Sequence, residues 1–181
     1  MTLWNNMNQL LGNIGRDLLE PASYIPYGIL MGGFFILLCI LWSRGRSQVD
    51  KAVLQKKKWI LFLCIVYSTV LLNLALLSRE PGSRQGIELG LFATWGNTMT
   101  SHAYFIENIL MFLPFGMLFP LAFHKLQKLQ VCLMVGLLSS LFLEFLQLLT
   151  QRGFCQLDDV VTNTFGTVLG WCIYKISRLK S

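Results

Sequence analysis

The chain has 181 residues, 54% of them hydrophobic and 13% charged, with a mean hydropathy of +0.56. A soluble domain of this size carries about 25% charged residues, so the composition excludes an ordinary water-soluble globule and indicates a membrane protein. The net charge of +6 comes with no nucleic-acid-binding motif, which excludes nucleic acid as a partner.

In chain order, Leu3, Trp4, Met7, Leu10, Leu11, Ile14, Leu18 and Leu19 recur at helical spacing among Asn, Arg and Asp. That pattern predicts an amphipathic helix lying in the interface over residues 1–22, with Pro21 turning the chain into the bilayer. The segment is too polar, and lacks the basic start, for a cleavable signal peptide. Residues 23–181 read as one transmembrane domain. A span needs roughly 20 apolar residues. The runs 24–42 and 59–77 contain no acidic or basic residue, and 103–123, 131–150 and 158–176 fit with some polar content. The expected fold is all-α, a polytopic membrane helix bundle of about five transmembrane helices.

The basic residues supply a topology. Arg44, Arg46, Lys51, Lys56, Lys57 and Lys58 fall in the loop 44–58, Lys125 and Lys128 follow the third span, and Lys175, Arg178 and Lys180 follow the fifth. These eleven lie on one side, whereas Arg16, Arg79, Arg84 and Arg152 lie on the other. The positive-inside rule then puts the amino terminus outside and the carboxyl terminus in the cytoplasm. Loop 44–58 is also placed to touch anionic lipid.

Segment 78–102 is the longest outer connection, and a loop of that length is more often functional or mobile than a plain link. Pro114 and Pro120 flank Gly116 in the third span and predict a kinked helix. Gly166 and Gly170 form a GxxxG pair that allows close helix approach. The five cysteines show no CxxC spacing, and there are only two histidines. Neither a disulfide framework nor a histidine-based metal centre is indicated.

Placed by depth, the polar residues converge. Glu107 and Asn108 lie near the outer end of the third span, and Glu144 sits about 9 Å before the fourth span's exit at roughly 1.5 Å per residue. Gln147 is one turn nearer the surface. Asp158 and Asp159 open the fifth span with Asn163 one turn in, and Arg79 and Arg152 fall at the same boundary. Glu144, Gln147 and Gln151 share a face by spacing. Asp159, Asn163, Gly166 and Gly170 make a stripe that the short turn directs towards the fourth helix.

A carboxylate inside a span costs from about 3 kcal/mol upward, so it is paired, protonated or exposed to water. Two readings follow. One is an ion-pair and amide network pinning the third, fourth and fifth helices. The other is an outward-facing polar pocket for a headgroup, sugar, peptide or cation. A divalent cation at Glu144, Asp158 and Asp159 suits hard-cation chemistry, though adjacent aspartates are a weak motif for it, and no other cofactor is indicated. Two carboxylates of unequal burial also allow acid–base chemistry on a lipid-linked substrate, but no Ser-His-Asp or Cys-His set is present.

The pieces NILMFLPFGMLFPL (108–121), SSLFLEFLQL (139–148), Arg152 and LDDVVTNTFGTVLGW (157–171), with LLSREPGS (76–83) as a weaker match, resemble the VanZ-like family of bacterial membrane proteins over roughly residues 70–175. The resemblance implies a bacterial cell-membrane location and an influence on teicoplanin-type glycopeptide susceptibility, with no catalytic mechanism belonging to the family. It places the family's polar set on Arg79, Asn108, Glu144, Gln147, Arg152, Asp158, Asp159 and Asn163. Gln156 stands where family members often carry a further aspartate, and Glu88 where a neutral residue is common. The expected function is that of a cell-envelope protein binding a membrane lipid headgroup or lipid-linked cell-wall precursor. A membrane enzyme acting on a lipid-linked substrate is the alternative.

Overall fold

In a computed structural model of the chain, residues 19–43, 48–82, 86–90 and 99–179 are described, together with Asn8 and Gly12. The expected interfacial helix over 1–22 lies outside the described residues except for Asn8, Gly12 and its end. There α1 (Glu20–Ser43) begins, with Pro21 in a first turn where no N–H is required. α1 leaves Leu30, Phe34, Leu37 and Trp42 exposed, Leu30 by 71%. Such a surface suits lipid and not water.

α2 (Gln48–Leu72) takes in most of the basic segment predicted as a loop. Lys51, Lys56, Lys57 and Lys58 are helical instead, because Lys, Gln and Leu are good helix formers and simply extend the span. α2 widens into a π-turn over Asn73–Leu77, where the Ser78 N–H donates to the Asn73 carbonyl at 2.9 Å. The long connection is partly ordered: Ile87–Glu88 (β1) pairs in parallel with Cys155–Gln156 (β2), and α3 (Met99–Ala122) begins four residues ahead of the expected span. A 3₁₀ turn at His124–Gln127 leads to α4 (Leu129–Thr150), and α5 (Leu157–Leu179) completes the bundle.

α3 runs continuously through Pro114 and Pro120. The missing Pro114 N–H leaves the Leu110 carbonyl without its intrahelical donor, and on the neighbouring carbonyl, Met111, the Tyr67 hydroxyl donates at 2.9 Å. Phe112, Phe115 and Phe119 line one side of α3 and Phe123 continues the row just past its end, with Phe115 stacked on Phe119 at 4.2 Å between centroids. Leu71, Ala75, Phe112, Phe115 and Leu143 form the buried apolar centre between α2, α3 and α4.

The most extensive packing joins α3 to α5, and its cause is glycine. A Cβ at Gly166 would fall on the Ile109 carbonyl, one at Gly170 on the Leu113 carbonyl, and one at Gly116 on the Thr167 carbonyl. The GxxxG stripe therefore faces the third helix, not the fourth as the short turn implied. Backbones can meet here because α3 offers Gly116 in return.

Among the described residues, four helices are long and apolar enough to cross a membrane: Glu20–Trp42, Lys57–Leu77, Ser101–Ala122 and Leu129–Thr150. α5 has the length but not the apolarity, and its burial pattern explains why. Asp158, Thr162, Asn163 and Thr167 point inward, whereas Val161, Phe165, Ile173 and Ile176 are exposed. All five cysteines are unbridged.

Candidate functional site

The site grows from the end of α2. The last carbonyls of a helix lack intrahelical donors, and here three of them find side-chain donors. The Ser78 hydroxyl donates to Leu74 at 2.7 Å, the Gln147 amide to Ala75 at 3.0 Å and Arg152 Nη1 to Leu76 at 2.9 Å. The end of α4 is thereby fastened to the π-turn.

α4 itself stops in a Schellman arrangement. Gln151 adopts the left-handed conformation (φ 55°), the Arg152 N–H donates to the Gln147 carbonyl at 3.0 Å, and the Gln151 N–H donates to Leu148 at 3.2 Å. Gln151 consequently leaves the helix and does not continue the Glu144–Gln147 face. The Gly82 N–H caps the Gln151 carbonyl at 2.9 Å, and the Cys155 N–H donates to Gly86 at 3.0 Å. These bonds stitch the outer connection to the α4–α5 link. Gly153 has no side chain because Arg79 Nη1 and Gln147 Oε1 occupy that space; an added Cβ would meet them at 2.9 and 3.1 Å.

The carboxylates are held individually. Glu144 is 3% exposed, and its Oε2 accepts from the Gln156 N–H at 2.8 Å. Asp159 Oδ1 accepts from Asn108 Nδ2 at 2.7 Å, linking α5 to α3. Asn163 Nδ2 donates to Ser140 Oγ at 2.9 Å, linking α5 to α4. Arg79 lies close enough to act electrostatically on both Glu144 and Asp159. Cys155 sits outside the helices, where burial, then Glu144 and Asp159, push its thiol up.

At this end of the bundle a cavity of about 810 Å³ opens between the helices. Arg79, Glu107, Asn108, Glu144, Gln147, Asp159 and Asn163 border it. Two of the nine sequence candidates do not. Arg152 is spent on the Leu76 carbonyl, and Asp158, 3% exposed, is buried away from the cavity at the first turn of α5. Other wall residues escaped sequence reasoning: Tyr67, Leu71, Ala75 and Tyr104 look like ordinary span residues, and Phe154 is an aromatic in the short α4–α5 link. Ser140 was detectable only as a small polar residue one turn before Glu144. Among the described residues no three His, Cys, Asp or Glu side chains converge as a metal centre would.

Because Arg152 braces the π-turn and stays out of the cavity, Arg152→Met is expected to destabilise the protein by about 1.5–3 kcal/mol, the scale of a hydrogen bond from a charged donor. Thermal unfolding in detergent measures the loss.

These features define a class: an all-α membrane bundle with a polar cavity set into one end. Residues 58–178 match the VanZ/LLP1 family profile, and the chain belongs to that family. It is also similar to Protein VanZ of Enterococcus faecium, with 36% identity over 73 residues, 40% of this chain and 45% of that protein. The chain thus spans less than half the length of that relative. No solved structure matches it.

Proposed function

We propose that the cavity faces the cell exterior and holds the headgroup of a membrane lipid or of a lipid-linked cell-wall precursor, and that the protein thereby lowers susceptibility to teicoplanin-type glycopeptides. One observation carries this reading: seven polar residues from separated parts of the chain border a single open cavity in an otherwise apolar bundle. A network that only pinned helices would be expected to close on itself. The clustering of Lys and Arg towards the opposite end supports an outward orientation. Membership of the VanZ/LLP1 family supports the link to glycopeptides.

Glu144→Gln and Asp159→Asn, each expressed and membrane-inserted, are expected to weaken lipid binding by the purified protein and to remove its effect on teicoplanin susceptibility. If both variants match wild type in both measurements, the reading is overturned. A second reading, catalysis on a lipid-linked substrate, draws on the proximity of Glu144 and Asp159 in one cavity. Mass spectrometry of lipid extracts incubated with the protein separates the two, because binding alone yields no new product.

A further inference from the structure

The cavity reaches deeper than its polar residues do. Along α3 its wall runs through Ser101, Tyr104, Asn108, Met111 and Pro114, about 20 Å at roughly 1.5 Å per residue. Half of a bilayer's hydrocarbon layer is about 15 Å, so a cavity that opens at the outer boundary extends to the middle of the membrane. Beyond Asn108 the α3 wall is apolar, at Leu110, Met111 and Pro114. The facing wall of α2 is apolar from Leu74 to Tyr67, and the Tyr67 hydroxyl is spent on the Met111 carbonyl.

This deep part is a groove between α2 and α3. Among the described residues, α4 adds nothing to the wall deeper than Leu143, and α5 nothing deeper than Asn163. α1 is seated on α2, where a Cβ at Gly28 would meet the Val66 carbonyl at 2.9 Å. It gives the cavity only Glu20 and Pro21, at its polar end. Val70, Leu110, Met111 and Pro114 are accordingly half-buried. The groove is continuous with the polar cavity, yet it is unsuited to water, which needs several polar partners to be held. Left empty, its lining would forfeit dispersion contacts. At this depth an open side meets the acyl chains of the surrounding leaflet.

We propose that the groove takes an acyl chain of a membrane phospholipid whose headgroup occupies the polar end of the same cavity. This rests on the lipid-headgroup reading above and narrows it. The ligand is recognised by its chain as well, and it enters sideways from the leaflet. A soluble headgroup fills only the polar end.

Wild type, Val70→Trp, Leu110→Trp and a control, Val161→Trp on the exposed face of α5, are purified as full chains from membranes grown on a fatty acid carrying a mid-chain diazirine. Mass spectrometry counts the phospholipid each retains in detergent, and illumination before extraction maps where the chains lie. Wild type and the control are expected to retain the same phospholipid and to carry adducts at Met111. The two groove variants, shown to be folded by thermal unfolding, retain roughly tenfold less, the worth of about ten lost atom–atom contacts. They also lose the Met111 adducts while keeping those on the exposed Phe145.

Retention and Met111 adducts unchanged in both groove variants, or adducts confined to exposed positions such as Phe145, overturn the groove and leave headgroup binding standing. No lipid retained by wild type overturns both readings. A prenyl-linked lipid retained in place of a phospholipid overturns the acyl assignment.

Discussion

Gly170→Ala is expected to lower stability by about 3 kcal/mol, and Gly170→Leu to prevent the bundle from assembling. Overpacking a close contact costs about 1–3 kcal/mol when side chains can yield. Here the obstruction is backbone: the new Cβ would meet the Leu113 carbonyl and come within 3.0 Å of the Gly116 Cα. No rotamer relieves that contact, so α3 and α5 must part along their whole seam, loosening the Asn108–Asp159 bond above it. Gly33→Ala provides the control. Nothing lies within 4 Å of a Cβ at Gly33, and alanine in a helix interior is favoured over glycine by roughly 0.5–1 kcal/mol. Thermal unfolding in detergent reads both, and a Gly170→Ala protein as stable as wild type would show that the helices do not cross at this distance.

The second large effect concerns charge. Arg79→Ala is expected to destabilise by about 2–3 kcal/mol, less than the loss of one partner of a fully buried pair, because Arg79 and Asp159 are half-buried and Glu144 buried, and removing the cation leaves both carboxylates uncompensated. Glu144 and Asp159 both interact with this guanidinium. The double variant Arg79→Ala, Glu144→Gln is expected to recover much of the loss, since the glutamine carries no charge and can still accept from the Gln156 N–H. Unfolding of the four proteins of this cycle gives the coupling. If the losses simply add, Arg79 is not neutralising Glu144.

The bundle was legible in the sequence because apolar length is read directly: the four apolar spans fall close to where hydropathy places them. The depth argument likewise grouped Glu144, Gln147, Asp159 and Asn163, since it needs only a topology and a rise per residue. Helix-facing was harder. The short α4–α5 turn made α4 the natural partner of the glycine stripe, yet Gly116 lies 50 residues upstream and only three dimensions reveal that it completes the seam. Gln151 obeys helical spacing on paper, but a left-handed residue ends the helix there and no glycine marks the stop. Arg152 has the charge of a cavity residue. Its donation to Leu76 depends on a π-turn that carries no proline, glycine or other visible mark.

The inward-turned polar side of α5 has a consequence for how the molecule is made. A helix holding Asp158, Thr162, Asn163 and Thr167 on one flank is poorly sorted into lipid by its own greasiness. Its hydrogen-bonding groups must be received by neighbours that arrived earlier. Synthesis delivers them in that order: α3 brings Asn108 and Gly116 and α4 brings Ser140, so every partner of the polar flank is made before α5 leaves the ribosome.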